Sequence, residues 1–144
     1  MTSACFDTGV LTLYATKDCP ARINEVMNKV KKGELEAHVL SPVLSELFFH
    51  LCKLSGQEKA TIFVNSLLES HQVNVILPDK VLSISAGKLR CQHRSTLSYI
   101  DCMSIAHALK VNIPFHTTEK KLKQIPGNVL QRLKVVKYEL PSEK

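Results

Sequence analysis

Ala37-His38-Val39-Leu40-Ser41-Pro42 is a four-residue apolar strand that runs straight into a helix start. Ser41 is expected to cap that helix, and Pro42 suits its first position, where no N–H is needed. The same switch from strand to helix recurs outward in both directions. Upstream, Ser3–Asp7 reads as a strand stopped at Asp7-Thr8-Gly9, followed by helices at Val10–Thr16 and Pro20–Lys32, the latter closed by Gly33. Downstream, the helix from Ser41 runs to Ser55-Gly56, and Gln57–His71 forms another, with Ala60, Phe63, Val64, Leu67 and Leu68 at helical spacing. Val73–Leu77 is a β-branched strand ended by Pro78, and Asp79 to about His93 is helical. Tyr99–Lys110, preceded by Ser98, is a helix; Ile113–His116 is a strand; Glu119–Gln124 is a short helix before Pro126-Gly127. Leu133–Tyr138 is the last strand. Strands separated by helices predict an α/β fold, a parallel sheet of four to five strands with helices on both faces. One domain over residues 1–140 and a solvated tail at 141–144 are expected.

Composition narrows the class. The chain has 144 residues, 44% of them apolar, enough for a core and too many for a disordered chain. No apolar run reaches the roughly 18 residues of a membrane span, and the N-terminal residues do not read as a secretory signal. Nineteen basic against thirteen acidic residues give +6, which favours a polyanionic partner. Five cysteines, Cys5, Cys19, Cys52, Cys91 and Cys102, are odd in number and never spaced C-x-x-C. A zinc knuckle and a disulfide framework are therefore unexpected, and a reducing cytoplasm is the expected compartment.

In a parallel sheet, ligands meet the carboxyl ends of the strands. Asp7 ends the first strand, Glu46 lies in Val43-Leu44-Ser45-Glu46-Leu47-Phe48-Phe49, and Asp101 lies in Ser98-Tyr99-Ile100-Asp101-Cys102-Met103. Glu119 follows Thr117-Thr118 after a strand. Each has a structural explanation: a helix cap for Asp7, a capping box for Ser98 and Asp101, an ion pair for Glu46, and the helix dipole for Glu119. Together they point to convergence on one sheet edge. Carboxylates so gathered repel and call for a counter-charge. Hard oxygen donors suit Mg²⁺ or Mn²⁺, which assist phosphodiester hydrolysis.

The residues around Asp7-Thr8, Leu44-Ser45-Glu46-Leu47, Leu97 through Leu109 and Thr117-Thr118-Glu119 resemble a PIN domain of the VapC type, from about Ser3 to Tyr138. The resemblance implies a three-layer α/β/α fold and a Mg²⁺- or Mn²⁺-dependent ribonuclease, the toxin of a toxin–antitoxin pair. It implies Asp7, Glu46 and Asp101 as metal ligands. Glu119 stands where the family usually carries aspartate, one methylene shorter, and is expected to act through water. Thr117 matches the family threonine and is assigned to the substrate side. Arg94, Lys120 and Lys121, with His93 and Lys123 nearby, are candidates for an RNA backbone. A homodimer and a small antitoxin protein are the implied protein partners. The nearly all-round apolar helix with Leu44, Leu47, Phe48, Phe49 and Leu51 is either buried or at an interface. His38, His50, His71, His107 and His116 lack zinc-pair spacing and read as surface or core residues. The alternative function is a noncatalytic PIN-fold RNA-binding or scaffold protein. A phosphoacceptor role for Asp7 needs paired acids after the first strand and a lysine partner, which the sequence does not place.

Overall fold

The computed structural model describes residues 2–93, 97–119, 122 and 132–141. In chain order the elements are β1 (Thr2–Phe6), α1 (Thr8–Tyr14), α2 (Ala21–Lys31), β2 (Leu35–Leu40), α3 (Ser41–Ser55), α4 (Gln57–Ser70) and β3 (Val73–Ile76). There follow α5 (Lys80–Gln92), α6 (Tyr99–Val111), β4 (Phe115–Thr117) and β5 (Val135–Lys137). The five strands pair in the order β3-β2-β1-β4-β5, every pair parallel. The chain winds outward from β1 through β2 to β3, then crosses back to β4. Right-handed crossovers put the helices of these two halves on opposite faces. The expected α/β/α layering is thus present.

Helices on both faces bury the carboxyl-terminal halves of the central strands, which are apolar in β1 and β2. Ala4, Cys5 and Phe6 of β1 and Val39 and Leu40 of β2 are buried, and they pack with Val10, Leu11, Ile23, Met27, Val43, Leu47 and Ile105 from the helices. All five cysteines are free, as expected, and Cys5 and Cys102 are buried. No helix among the described residues is long and apolar enough to cross a membrane.

Several boundaries differ from the sequence reading. The second strand begins at Leu35 rather than Ala37, because β1 draws in two more residues: Thr2 pairs with Leu35 and Ser3 with Glu36. Ser41 does not cap. Leu40 holds the cap position without a side-chain bond, and Ser41-Pro42 already lie in the helix, so β2 passes into α3 without a turn. The fourth strand starts at Phe115, two residues past Ile113. Pro114 has no N–H to give, and its carbonyl instead accepts Cys5 N at 2.8 Å. The final strand is confined to Val135–Lys137. Of the helix expected over Glu119–Gln124, Glu119 is irregular, and the rest except Leu122 falls outside the described residues.

Candidate functional site

The strand order reverses direction between β1 and β4, one step to β2 on one side and one step to β4 on the other. That reversal opens a crevice at their carboxyl ends. Asp7 stands at the end of β1 and Thr117-Thr118-Glu119 at the end of β4, and the two ends are joined by hydrogen bonds. Asp7 Oδ1 accepts Val10 N at 3.0 Å, which makes Asp7 the N-cap of α1. Its Oδ2 accepts the Thr117 hydroxyl and Thr118 N, the latter at 3.2 Å. Thr117 is fully buried, and its hydroxyl oxygen also accepts Glu119 N at 2.9 Å. In this geometry Thr117 faces Asp7, not solvent: it orients the carboxylate and the start of the Glu119 segment.

Gly9 makes that junction possible. It sits in the first turn of α1, and a Cβ built on it would run into Thr118 Oγ1 and lie 3.2 Å from the Thr118 Cβ. The sequence reading treated Gly9 only as punctuation after a strand. Glycine to alanine in a helix usually gains about 0.5–1 kcal/mol. Overpacking costs about 1–3 kcal/mol, and here it presses on the bond from Thr118 to Asp7. Gly9→Ala should therefore lose about 1–2 kcal/mol in urea unfolding, and adding Thr118→Ala should return part of it. A Gly9→Ala protein as stable as wild type would show that the contact is not tight.

Asp101 lies on the first turn of α6. Its own N–H donates to Ser98 Oγ at 3.1 Å, and its Oδ2 accepts Ser98 N at a long 3.5 Å, so the expected capping box is present. The structural explanation for Asp101 is thus present. Burial first, with Asp101 adding to it, pushes the Asp7 carboxyl up to about 6 against its three hydrogen bonds. Burial also raises Asp101, and the charges of Glu119 and Glu46 raise it further. Asp101 thus feels Glu46 and Glu119, and Asp7 feels Asp101, although the four come from the end of β1, α3, α6 and the segment after β4. Arg94, Lys120, Lys121 and Lys123 lie outside the described residues.

Among the described residues no group of three or more His, Cys, Asp or Glu side chains is gathered closely enough to hold an ion as it stands. The chemistry of the carboxylates nevertheless fits a hard divalent cation. All donors are oxygen, their mutual repulsion calls for positive charge, and the hydroxyl of Thr8, next to Asp7, is buried without a partner.

The histidines are less dispersed than their numbers suggest. Packing of α6 on β2 brings His38 Nδ1 to 2.9 Å from His107 Nε2, and His38 Nε2 lies 2.7 Å from Glu36 Oε1. Sixty-nine positions separate the two histidines in sequence. No local spacing signals such a pair; only the sheet-and-helix packing does.

A family model described as the PIN domain matches residues 4–128. No curated protein sequence matches the chain. Among solved structures, VapBC2 from Rickettsia felis, bound to a DNA fragment from its promoter, superposes with a TM-score of 0.72 at 19% identity, covering 96% of this chain and all of that one. DNA-bound VapBC from Salmonella typhimurium gives 0.69 at 20% identity over 95% of this chain and 98% of its own. VapC20 from Mycobacterium tuberculosis, a toxin that cleaves the sarcin-ricin loop, gives 0.62 at 18% identity over 89% and 93%. These likenesses are of fold.

Proposed function

Because this chain belongs to the PIN-domain family, we propose that it is a metal-dependent endoribonuclease, the toxin of a toxin–antitoxin pair. The observation that carries this reading is the buried Asp7 carboxylate held across the β1 and β4 ends by Thr117 and Thr118, with the Asp101 charge acting on it. Asp7, Glu46 and Asp101 would hold Mg²⁺ or Mn²⁺, which supplies an activated water and neutralises charge on the scissile phosphate. Asp7 is the fixed member, anchored by Val10, Thr117 and Thr118. Asp101 accepts Ser98 N at a longer 3.5 Å. Glu119, whose charge acts on Asp101, would act through water. The solved VapBC complexes favour a protein partner, and exposed Phe49, Leu54 and Ile62 on α3 and α4 and Val81 and Ile84 on α5 offer apolar surface for a second copy or a small antitoxin.

Incubation of the protein with structured and single-stranded RNA, in Mg²⁺, Mn²⁺ and chelator, tests the reading. Cleavage only in metal is expected. The ungathered state of the carboxylates favours a second reading, a noncatalytic RNA-binding PIN fold. Binding of RNA without cleavage in either metal would select it. Within the catalytic reading, Glu119→Asp should retain or raise activity, and Glu119→Ala should lose about tenfold, as for a group acting through water. Loss as deep as that of Asp101→Ala would make Glu119 a direct ligand.

A further inference from the structure

Two residues before Asp101, on the same turn of α6, Tyr99 is 63% exposed. The Arg90 guanidinium of α5 lies 5.1 Å from the centroid of its ring. Beside them is a cavity of about 490 Å³ lined by Gly87, Arg90, Cys91 and Tyr99. Gly87 is within α5, where glycine is unfavourable against alanine. Among the described residues nothing lies within 4 Å of where its Cβ would stand, so no close packing with them demands glycine there. What the missing side chain does is keep the cavity open.

We propose that this cavity is a nucleobase subsite, with Tyr99 as the stacking surface and Arg90 as its cationic wall; it rests on the ribonuclease reading above. A base has an apolar face that an exposed tyrosine ring covers, and guanidinium adds a cation–π contribution. Stacking of this kind tolerates any base, so it positions the strand without reading its sequence. Positions 99 and 101 are about 200° apart around the helix. The ring and the carboxylate therefore flank opposite sides of the α6 N-terminus. A strand that crosses this terminus with its reacting phosphate at Asp101 carries a neighbouring base to Tyr99. The net charge of +6 favours a polyanionic ligand for the chain as a whole, and Arg90 puts one of its positive charges at the cavity.

The chain has no tryptophan, so Tyr99→Trp creates a single reporter. The test places it in the Asp101→Asn background, in chelator, and titrates a ten-nucleotide single-stranded RNA against inorganic polyphosphate of equal charge. RNA should quench the emission and polyphosphate should not. In the same background, Tyr99→Ala should bind the RNA about 5- to 100-fold more weakly than Tyr99 or Tyr99→Phe, with polyphosphate binding unchanged. Gly87→Met, which fills the cavity with a good helix former, should weaken RNA binding likewise. Equal RNA affinity for Tyr99→Ala and Tyr99→Phe would overturn the subsite and leave the ribonuclease reading standing, with Tyr99 and Arg90 only a surface pair. Failure of every protein, wild type included, to bind RNA would overturn both.

Discussion

Asp101→Asn should lower metal-dependent RNA cleavage by about 10²- to 10³-fold with the fold intact. The size follows from losing a carboxylate that holds a cation which stabilises transition-state charge by several kcal/mol. The preserved fold follows from geometry. Asparagine keeps an oxygen for Ser98 N, and the stronger half of the capping box, Asp101 N to Ser98 Oγ at 3.1 Å, involves only its backbone. Asp7 is a poorer place for this test. Its two oxygens accept from Val10, Thr117 and Thr118, and an amide at position 7 would turn one donor against another. Asp7→Asn should therefore lose stability as well as cleavage, and the two losses cannot be separated. Comparison of cleavage rates for wild type and Asp101→Asn in Mn²⁺, beside their circular dichroism spectra, checks the prediction. Equal rates would assign the cleavage to another site.

The alternation of strand and helix is legible because it is local. Val73–Ile76 ends at Pro78, α5 begins at the Asp79 cap, and α6 begins at the Ser98 cap, each marked within a few residues. Leu35 and Glu36 are different. Glu36 is a charged residue that joins β2 only because Ser3 lies opposite it and donates to its carboxylate at 3.2 Å, a contact over 33 positions. Ser41 misled for the converse reason. A serine before proline is a good cap when a turn precedes it, but β2 feeds α3 directly and leaves Ser41 inside the helix.

The site divides the same way. Asp7, Glu46 and Asp101 stand out as carboxylates among apolar neighbours, and a parallel sheet directs attention to the carboxyl ends of its strands. What supports them is not visible locally. The clamp of Thr117 and Thr118 on Asp7 spans 110 and 111 positions, and Gly9 is needed only because Thr118 arrives against it. Tyr99 reads as one more helix residue until α5 is placed beside it with Arg90 and the opening at Gly87.

Charge and stability should be linked at this site, and a melting series shows how. Asp7, at about 6, and Asp101, also raised, favour their protonated forms in the folded chain. Folded values above the unfolded ones mean a contribution fully present below the unfolded carboxylate range and lost as pH rises through the folded values. At pH 7.5 in chelator, wild type thus carries buried repulsion that Asp101→Asn relieves, and the variant should melt at the same temperature or higher. As pH falls, Asp101 takes up its proton sooner than an ordinary carboxylate and the gap should close. Burial holds His116 down to about 4 and lowers His107, which act in the opposite sense and lose stability on acidification. Both histidines are common to the two proteins and cancel in the difference. Mn²⁺ at 100 times its Kd should stabilise wild type by about 2.7 kcal/mol. Asp101→Asn should gain much less, because a neutral amide binds the cation weakly. If Asp101 served only the capping box, which asparagine keeps, its replacement would leave the melting temperature in chelator little changed and the Mn²⁺ shift as large as that of wild type. That result would remove Asp101 from the metal site and leave it a helix cap.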